Sequence, residues 1–544
     1  MIHIASDALG VASGEERAAH PQIRQVDNQA PPLLPFNMYE ADRALSEAVE
    51  RSGGAWGAEQ LREAGRFCGS EQAFDHSRRA ERNAPALVPY DRYGNRIDEV
   101  ELDPSWHALM AANVERGAHA SPWRDPREGA HVVRAATFML FDQVNCGVQC
   151  PISMTHAVVP ALREAAPQLA AEWEPRLTNL DYDQVAIAGM AMTERQGGSD
   201  VRANITRAHP TGDGDYEIWG HKWFCSYPPC DFFLVLAQAP GGLSCFLVER
   251  GPGMEFQRLK DKLGTRSLAS SEVEFHGIRG RLVGEEGRGV NAIITMVNHT
   301  RLDCLIGAAG ALRFGVTNAV HHARHRHAFG KVLADQPLMQ NVLADLAIES
   351  EAATAAAIRV AAAYDADEPA FRRFATAVMK YWVCKRAAGH SAEALECLGG
   401  NGYAEDSLMP QLYRDSPLAG IWEGSGNVAA LDVLRAMAKE PDGLPAFLAE
   451  VQFAAGGDRR LDAHVGQLQQ RLVGLSDQHV AQLEARRIVE DLALALQASL
   501  LVRFAPHPVA DAFCAGRLGG GGHAYGTLPA GLELGAIVDR ALVA

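Results

Sequence analysis

The chain is sparing in the features that mark special environments. It has ten cysteines in 544 residues, and no pair stands at the C-x-x-C spacing of a zinc knuckle or thioredoxin-type site. Cys146 and Cys150 are four apart and face one way on a helix. Without further ligands they read as buried thiols. No apolar run approaches the roughly 20 residues of a membrane span. The first twenty residues lack a basic start and an apolar core, so they do not read as a signal peptide. A reducing, cytoplasmic setting is expected. Basic residues are outnumbered, 51 Lys and Arg against 67 Asp and Glu, for a net charge of −16. Such a chain is not a general polyanion binder, and nucleic acid would need a local basic surface. No G-x-G-x-x-G joins a strand to a helix, which argues against a Rossmann cofactor site.

What is present is ordinary for a globular protein: 47% hydrophobic and 22% charged residues. The length suits several domains. Residues 1–35 read as a polar arm ending in Ala30-Pro31-Pro32. Residues 36–184 carry apolar positions at helical spacing. From 185 to 290 the texture becomes short, aromatic and β-branched, broken by Gly and Pro turns, as in a β-domain. Long Ala-, Leu- and Arg-rich helices follow over 291–440. A further helical segment, 441–544, is interrupted by Gly519–Gly522. The order predicts an α+β fold of helical domain, antiparallel β-domain, helical bundle and added helical domain.

Three clusters carry chemistry. MTERQGGSDV (192–201) places Gly197 and Gly198 between the hydroxyls of Thr193 and Ser199. This suits close backbone approach to a ligand, or simply a glycine turn entering a β-domain. HKWFCSYPPCD (221–231) puts Phe224, Cys225 and Ser226 on one strand, an aromatic surface beside a hydroxyl. LGGNGYAEDSLMPQLYRDSPLAGIWEGSGNVAALDVLR (398–435) ends a helix in Gly399-Gly400 and then sets Glu423 between Trp422 and Gly424-Ser425-Gly426. A carboxylate beside a bulky ring and flexible glycines has the surroundings of a tuned general base; a capping or salt-bridged Glu is the other reading.

Together these clusters resemble the acyl-CoA dehydrogenase flavoproteins, and more closely their AidB type, the DNA-alkylation-response branch with an extra C-terminal domain. The resemblance runs from about residue 25 onward. MTERQGGSD matches the T-E-x-x-x-G-S-D flavin motif, GHKWFCS a looser K-x-W-[FI]-x-[ST] strand, and IWEGSGN the catalytic-glutamate segment. It implies FAD held by Met190, Ala191, Met192, Thr193, Glu194, Arg195, Gln196, Gly197, Gly198 and Ser199, by Phe224, Cys225 and Ser226, and by Ile421, Trp422, Gly424, Ser425, Gly426, Asn427, Val428 and Leu431. A neighbouring subunit would complete the site through Arg326 and Phe329 of R-x-x-F-G, through Gln336, one residue short of the family spacing, and through Gly399 and Gly400. That sharing implies a homo-oligomer, a dimer of dimers. Glu423 aligns with the base that takes the α-proton of an acyl thioester while the β-hydride passes to flavin. Some members carry the base before an arginine on the first helix after the β-domain, which here is Thr300 before Arg301. Thr300 cannot serve, and Arg301 matches an arginine expected near the base.

The AidB type implies a part in the adaptive response to DNA alkylation, by binding double-stranded DNA, destroying alkylating agents or both, with at most weak dehydrogenase activity on isovaleryl-CoA-like thioesters through Glu423 and FAD. The alternative is a metabolic acyl-CoA dehydrogenase with a structural tail. DNA binding would use the C-terminal domain, yet residues 441–544 hold eight arginines against eleven carboxylates. Arg435 and Arg517 are the expected contacts. His321 and His325, at i and i+4, have metal-ligand spacing without a companion carboxylate, so no metal is expected.

Overall fold

A computed structural model describes residues 28–475 and 477–543. The arm expected over 1–35 lies mostly outside these residues. The first layer comprises α1 (Arg43–Val49), α2 (Ala58–Cys68), α3 (Glu71–Arg82), a hairpin β1 (Ala86–Tyr90) and β2 (Arg96–Glu101), then α4 (Pro104–Glu115), α5 (Ala130–Asp142), α6 (Cys146–Ala165) and α7 (Pro167–Leu177). Side-chain caps set the helix starts where loops must turn sharply. Ser70 accepts from Ala73 N at the start of α3, and Asn145 from Val148 N at the start of α6.

The hairpin departs from the all-helical reading of 36–184. Its tight turn is made locally: Asp91 accepts from Tyr93 N and Asn95 N, and Gly94 takes φ 84°. Arg96 then ties the hairpin to the β-domain by donating to Phe256 O and pairing with Glu255.

The β-domain contains β3 (Ala188–Ala191), β4 (Arg207–Pro210), β5 (Tyr216–Ser226), β6 (Phe232–Ala239), β7 (Gly242–Glu249), β8 (Met254–Leu259) and β9 (Ser270–Val283). The order is β3-β6-β4-β5-β9-β7, with β8 on β9; β6 also pairs with β7, so the ladder closes on itself. A buried ion pair, Lys222 to Glu194 at 2.8 Å with both side chains 0% exposed, sits inside it.

The bundle is built on α8 (Gly289–His325), flanked by α9 (Pro337–Asp365), α10 (Pro369–Cys397), α11 (Met409–Ala419) and α12 (Gly426–Lys439). The C-terminal segment adds α13 (Gly443–Gln452), α14 (Arg459–Val473), α15 (Gln478–Phe504), α16 (His507–Phe513) and α17 (Leu534–Arg540). It packs back on the bundle rather than standing apart. Arg540 of α17 pairs with Glu351 and Glu47, and Gln497 of α15 accepts from Trp382 Nε1 of α10 at 3.0 Å. No helix among the described residues is long and apolar enough to cross a membrane.

Where the first layer meets α8, Trp123 is ringed by His131, His156 and His299 at centroid distances of 4.9, 4.9 and 5.5 Å. Burial holds all three imidazoles neutral, pushing His131 down to about 3 and the other two well below their ordinary value. On unfolding they recover a value near 6.5 and take up protons. Stability is therefore full above that pH and is lost as pH falls through it toward the folded values. A melting temperature that declines from pH 7 to pH 5.5, followed by calorimetry with Trp123 fluorescence, is the expected result.

Candidate active site

Glu423 adopts φ 56°, a left-handed conformation uncommon for a residue with a side chain. The surroundings hold it there. Lys380, buried in α10, donates from Nζ to Trp422 O at 2.8 Å and Gly424 O at 2.6 Å. Arg301 Nε donates to Glu423 O at 3.0 Å, and its Nη1 pairs with Asp432 at 2.7 Å. The loop is thus clamped by two buried cations acting on three consecutive carbonyls.

The Glu423 carboxyl meets Thr300, whose Oγ1 lies 2.8 Å from Oε2 and 3.1 Å from Val297 O. A hydroxyl with two such neighbours serves both protonation states. It gives its proton to the carboxylate, or donates to Val297 O and accepts from the acid. Burial raises the Glu423 pKa; Thr300, Arg301 and Lys380 oppose part of that rise.

The carboxyl opens into a cavity of about 940 Å³ between the β-domain and the bundle. Of the residues singled out in the sequence, Met190, Met192, Thr193, Gly198, Ser199, Phe224 and Ser226 line its β-domain wall. Arg301, Ile421, Trp422, Gly424, Ser425, Val428, Leu431 and Arg435 line the bundle wall.

Others in the same motifs do not line it. Strand alternation turns Ala191 and Cys225 into the core, away from their cavity-lining neighbours. Glu194 is the partner of Lys222 and accepts from Ile205 N and Thr206 N. Arg195 pairs with Glu274, Gln196 donates to Glu194, and Gly197 exchanges backbone bonds with Glu194 in the turn. Gly426 opens α12, and Asn427 Oδ1 accepts from Arg486. These residues shape the turn and loop that carry the cavity-lining ones.

Arg326, Phe329, Gln336, Gly399 and Gly400 also lie outside the cavity. Phe329 is 97% exposed, Arg326 donates to Asn28 O, and Gln336 Nε2 donates to Ala328 O at 2.8 Å. A Cβ on Gly399 or Gly400 would meet open space.

Arg517 overturns its reading as a DNA contact. Its side chain is 14% exposed, 2.6 Å from Asp345 and 2.8 Å from Glu349, so its charge is spent inside the chain. Arg517→Ala is expected to lower stability by about 2 kcal/mol, because Glu349 keeps Arg386 while Asp345 loses its cation; chemical denaturation measures it. Arg435 is half exposed at the cavity edge and pairs with Asp432.

Among the described residues no group of three or more His, Cys, Asp or Glu could hold a metal. His321 and His325 spend ring nitrogens on Pro31 O and His321 O. Cys146 and Cys150 line the cavity as protonated thiols, Cys150 pushed up to about 12 by burial.

Sequence reasoning missed Lys380 and the contact of Thr300 with Glu423. The one available signal for Lys380 was a lone cation in the apolar run FATAVMKYWVC.

The family descriptions match this geometry. The AidB N-terminal domain covers residues 28–184, and the acyl-CoA dehydrogenase middle and C-terminal domains cover 189–278 and 287–438. AidB of Escherichia coli is 42% identical over 91% of this chain and 94% of its own. The chain belongs to the AidB branch of the acyl-CoA dehydrogenase family. Caenorhabditis elegans ACDH-11, solved in complex with C11-CoA, matches with a TM-score of 0.86 at 28% identity, over 93% of this chain and 95% of that one. An acyl-CoA dehydrogenase of Bacillus anthracis complexed with FAD shares the fold, with a TM-score of 0.69 at 16% identity over 92% and 88% of the two chains.

The family consists of FAD-dependent oxidoreductases acting on CH–CH groups, and FAD is the cofactor. The cavity fits it. Thr193, Ser199 and Ser226 bring hydroxyls to one wall, and Phe224 a ring. The indole N–H of Trp422, on the opposite wall, is buried without a partner in the chain and suits an acceptor on a bound group.

Proposed function

We propose that this chain binds acyl thioesters in the cavity and abstracts their α-proton with Glu423. The observation that carries this reading is the buried Glu423 carboxyl, held by clamped backbone and faced by a hydroxyl, at the wall of a mostly apolar cavity. Thr193, Ser199, Ser226 and the segment around Trp422 hold FAD, which supplies the hydride acceptor when bound. Glu423 takes the proton, its affinity for it raised by burial, and Thr300 reverses its hydrogen bond as the carboxyl becomes an acid. The C11-CoA of the nematode relative supports a thioester as ligand. Anaerobic addition of acyl-CoAs, isovaleryl-CoA among them, tests this by loss of flavin absorbance; no loss with any chain length would remove it.

The cavity is completed by a second subunit, in a dimer of dimers. The exposed Phe329, with Arg326, Gln336, Gly399 and Gly400, supports this as surface reaching a neighbour's cofactor. Phe329→Asp is expected to shift the assembly to smaller species in sedimentation and to reduce the FAD retained.

The physiological setting is the adaptive response to alkylation, supported by the AidB likeness over residues 28–184. The contact with double-stranded DNA is assigned to Arg435 and the exposed arginines of residues 441–544, without Arg517. Phosphate contacts are lost with salt. Arg435→Glu is expected to weaken a duplex shift that itself falls between low and moderate salt; no shift at either salt would end this assignment.

A further inference from the structure

The cavity continues well past the base. One face of α8 lines it through Val297, Thr300, Cys304, Gly307, Ala311 and Phe314, a helical stripe at three- and four-residue steps. Phe314 stacks on Phe74 with centroids 5.4 Å apart, and both rings line the cavity. Asp142, the last residue of α5, lines it against Gly307.

Asp142 is an unusual wall residue. Its carboxyl rests against the bare Cα of Gly307, where an added Cβ would lie 2.8 Å from Oδ1. The glycine is what leaves room for it. Burial raises the Asp142 pKa, the neighbouring Cys146 thiol opposes part of that rise, and the Asp303 carboxylate adds to it. Among the described residues no lysine or arginine pairs with it. Three neighbouring polar side chains have partners within the chain. Gln143 donates to Met139 O, Asp303 is paired with Arg134, and Asp415 accepts from Thr265 N. Asp142 keeps free acceptor sites, with no lysine or arginine beside them, in a mostly apolar chamber. Leaving them unmet is costly, and a ligand donor relieves that cost.

Its distance from the base sets the length of that ligand. Thr300 marks Glu423 and Gly307 marks Asp142, two turns further along α8. At the rise of an α-helix this is about 10 Å, or roughly eight carbon–carbon bonds of an extended chain.

We propose that Asp142 is a second recognition point in this cavity, for a hydroxyl or amino group at the far end of an acyl chain whose α-carbon lies at Glu423. The inference rests on the acyl-thioester reading and narrows it to chains of about ten carbons that end in a hydrogen-bond donor.

The test is calorimetric binding of decanoyl-CoA, 10-hydroxydecanoyl-CoA and 10-aminodecanoyl-CoA to the FAD-loaded protein. The wild type is expected to bind at least one donor-bearing chain about tenfold more tightly than decanoyl-CoA. Asp142→Leu should reverse that order. The variant removes a buried carboxyl without stranding a charge, so it should melt no lower than the wild type. An amine preference should strengthen as pH rises through about 7, the value to which burial lifts Asp142, whereas a hydroxyl preference should survive in Asp142→Asn. Equal binding of the three chains, or a plain-chain preference in the wild type, overturns the role of Asp142 while leaving the thioester reading intact. Failure of every thioester to bind overturns both.

Discussion

Glu423→Gln should slow flavin reduction by an acyl thioester by about 10²–10⁴-fold while leaving the fold and the FAD content unchanged. The amide is nearly isosteric, and it can still meet Thr300 Oγ1. The loop contacts of Lys380 and Arg301 go to backbone carbonyls, which the substitution does not touch. What is lost is the capacity to take a proton. In the wild type the rate should rise with pH through the elevated pKa of Glu423, because only the carboxylate acts as a base. That rising limb should vanish in the variant. A variant that reduces flavin at the wild-type rate would remove Glu423 from its role.

Lys380→Met should lower stability by about 2–6 kcal/mol. Two buried carbonyls, Trp422 O and Gly424 O, lose their donor, at about 1–3 kcal/mol each. The left-handed turn at Glu423 is then held from one side only, by Arg301. The second consequence is kinetic. A carboxyl displaced by about 1 Å from its reacting position costs on the order of 10²-fold in rate. Thermal unfolding and single-turnover reduction separate the two effects. Lys380→Met with normal stability and normal reduction would show that the clamp is dispensable. Met is the informative replacement because it keeps the side-chain volume and removes only the charge and donors.

Much of this architecture was legible in the sequence. The succession of helical, β and helical textures is strong because each run is long enough for its periodicity to speak. The family likeness and FAD followed from three motifs read jointly, and both stand. The hairpin at 86–101 escaped notice because it is short and set among long helices, although its DRYGN turn carries the signal. Within the motifs, adjacency in sequence could not tell wall from core. Phe224 and Ser226 face the cavity while Cys225 between them does not, and Glu194 serves Lys222 from across the barrel. Such partners meet only in the folded chain. The same reason hid Lys380, forty-three residues from Glu423, and misplaced Arg517, whose carboxylate partners lie on α9.

Anaerobic mixing of the FAD-loaded protein with a thioester shown to bind, followed at the flavin absorbance band, tests the central claim most directly. The geometry predicts bleaching in the wild type and none on the same timescale in Glu423→Gln. A wild-type flavin that stays oxidised with thioester bound, or a variant that bleaches equally fast, would contradict it.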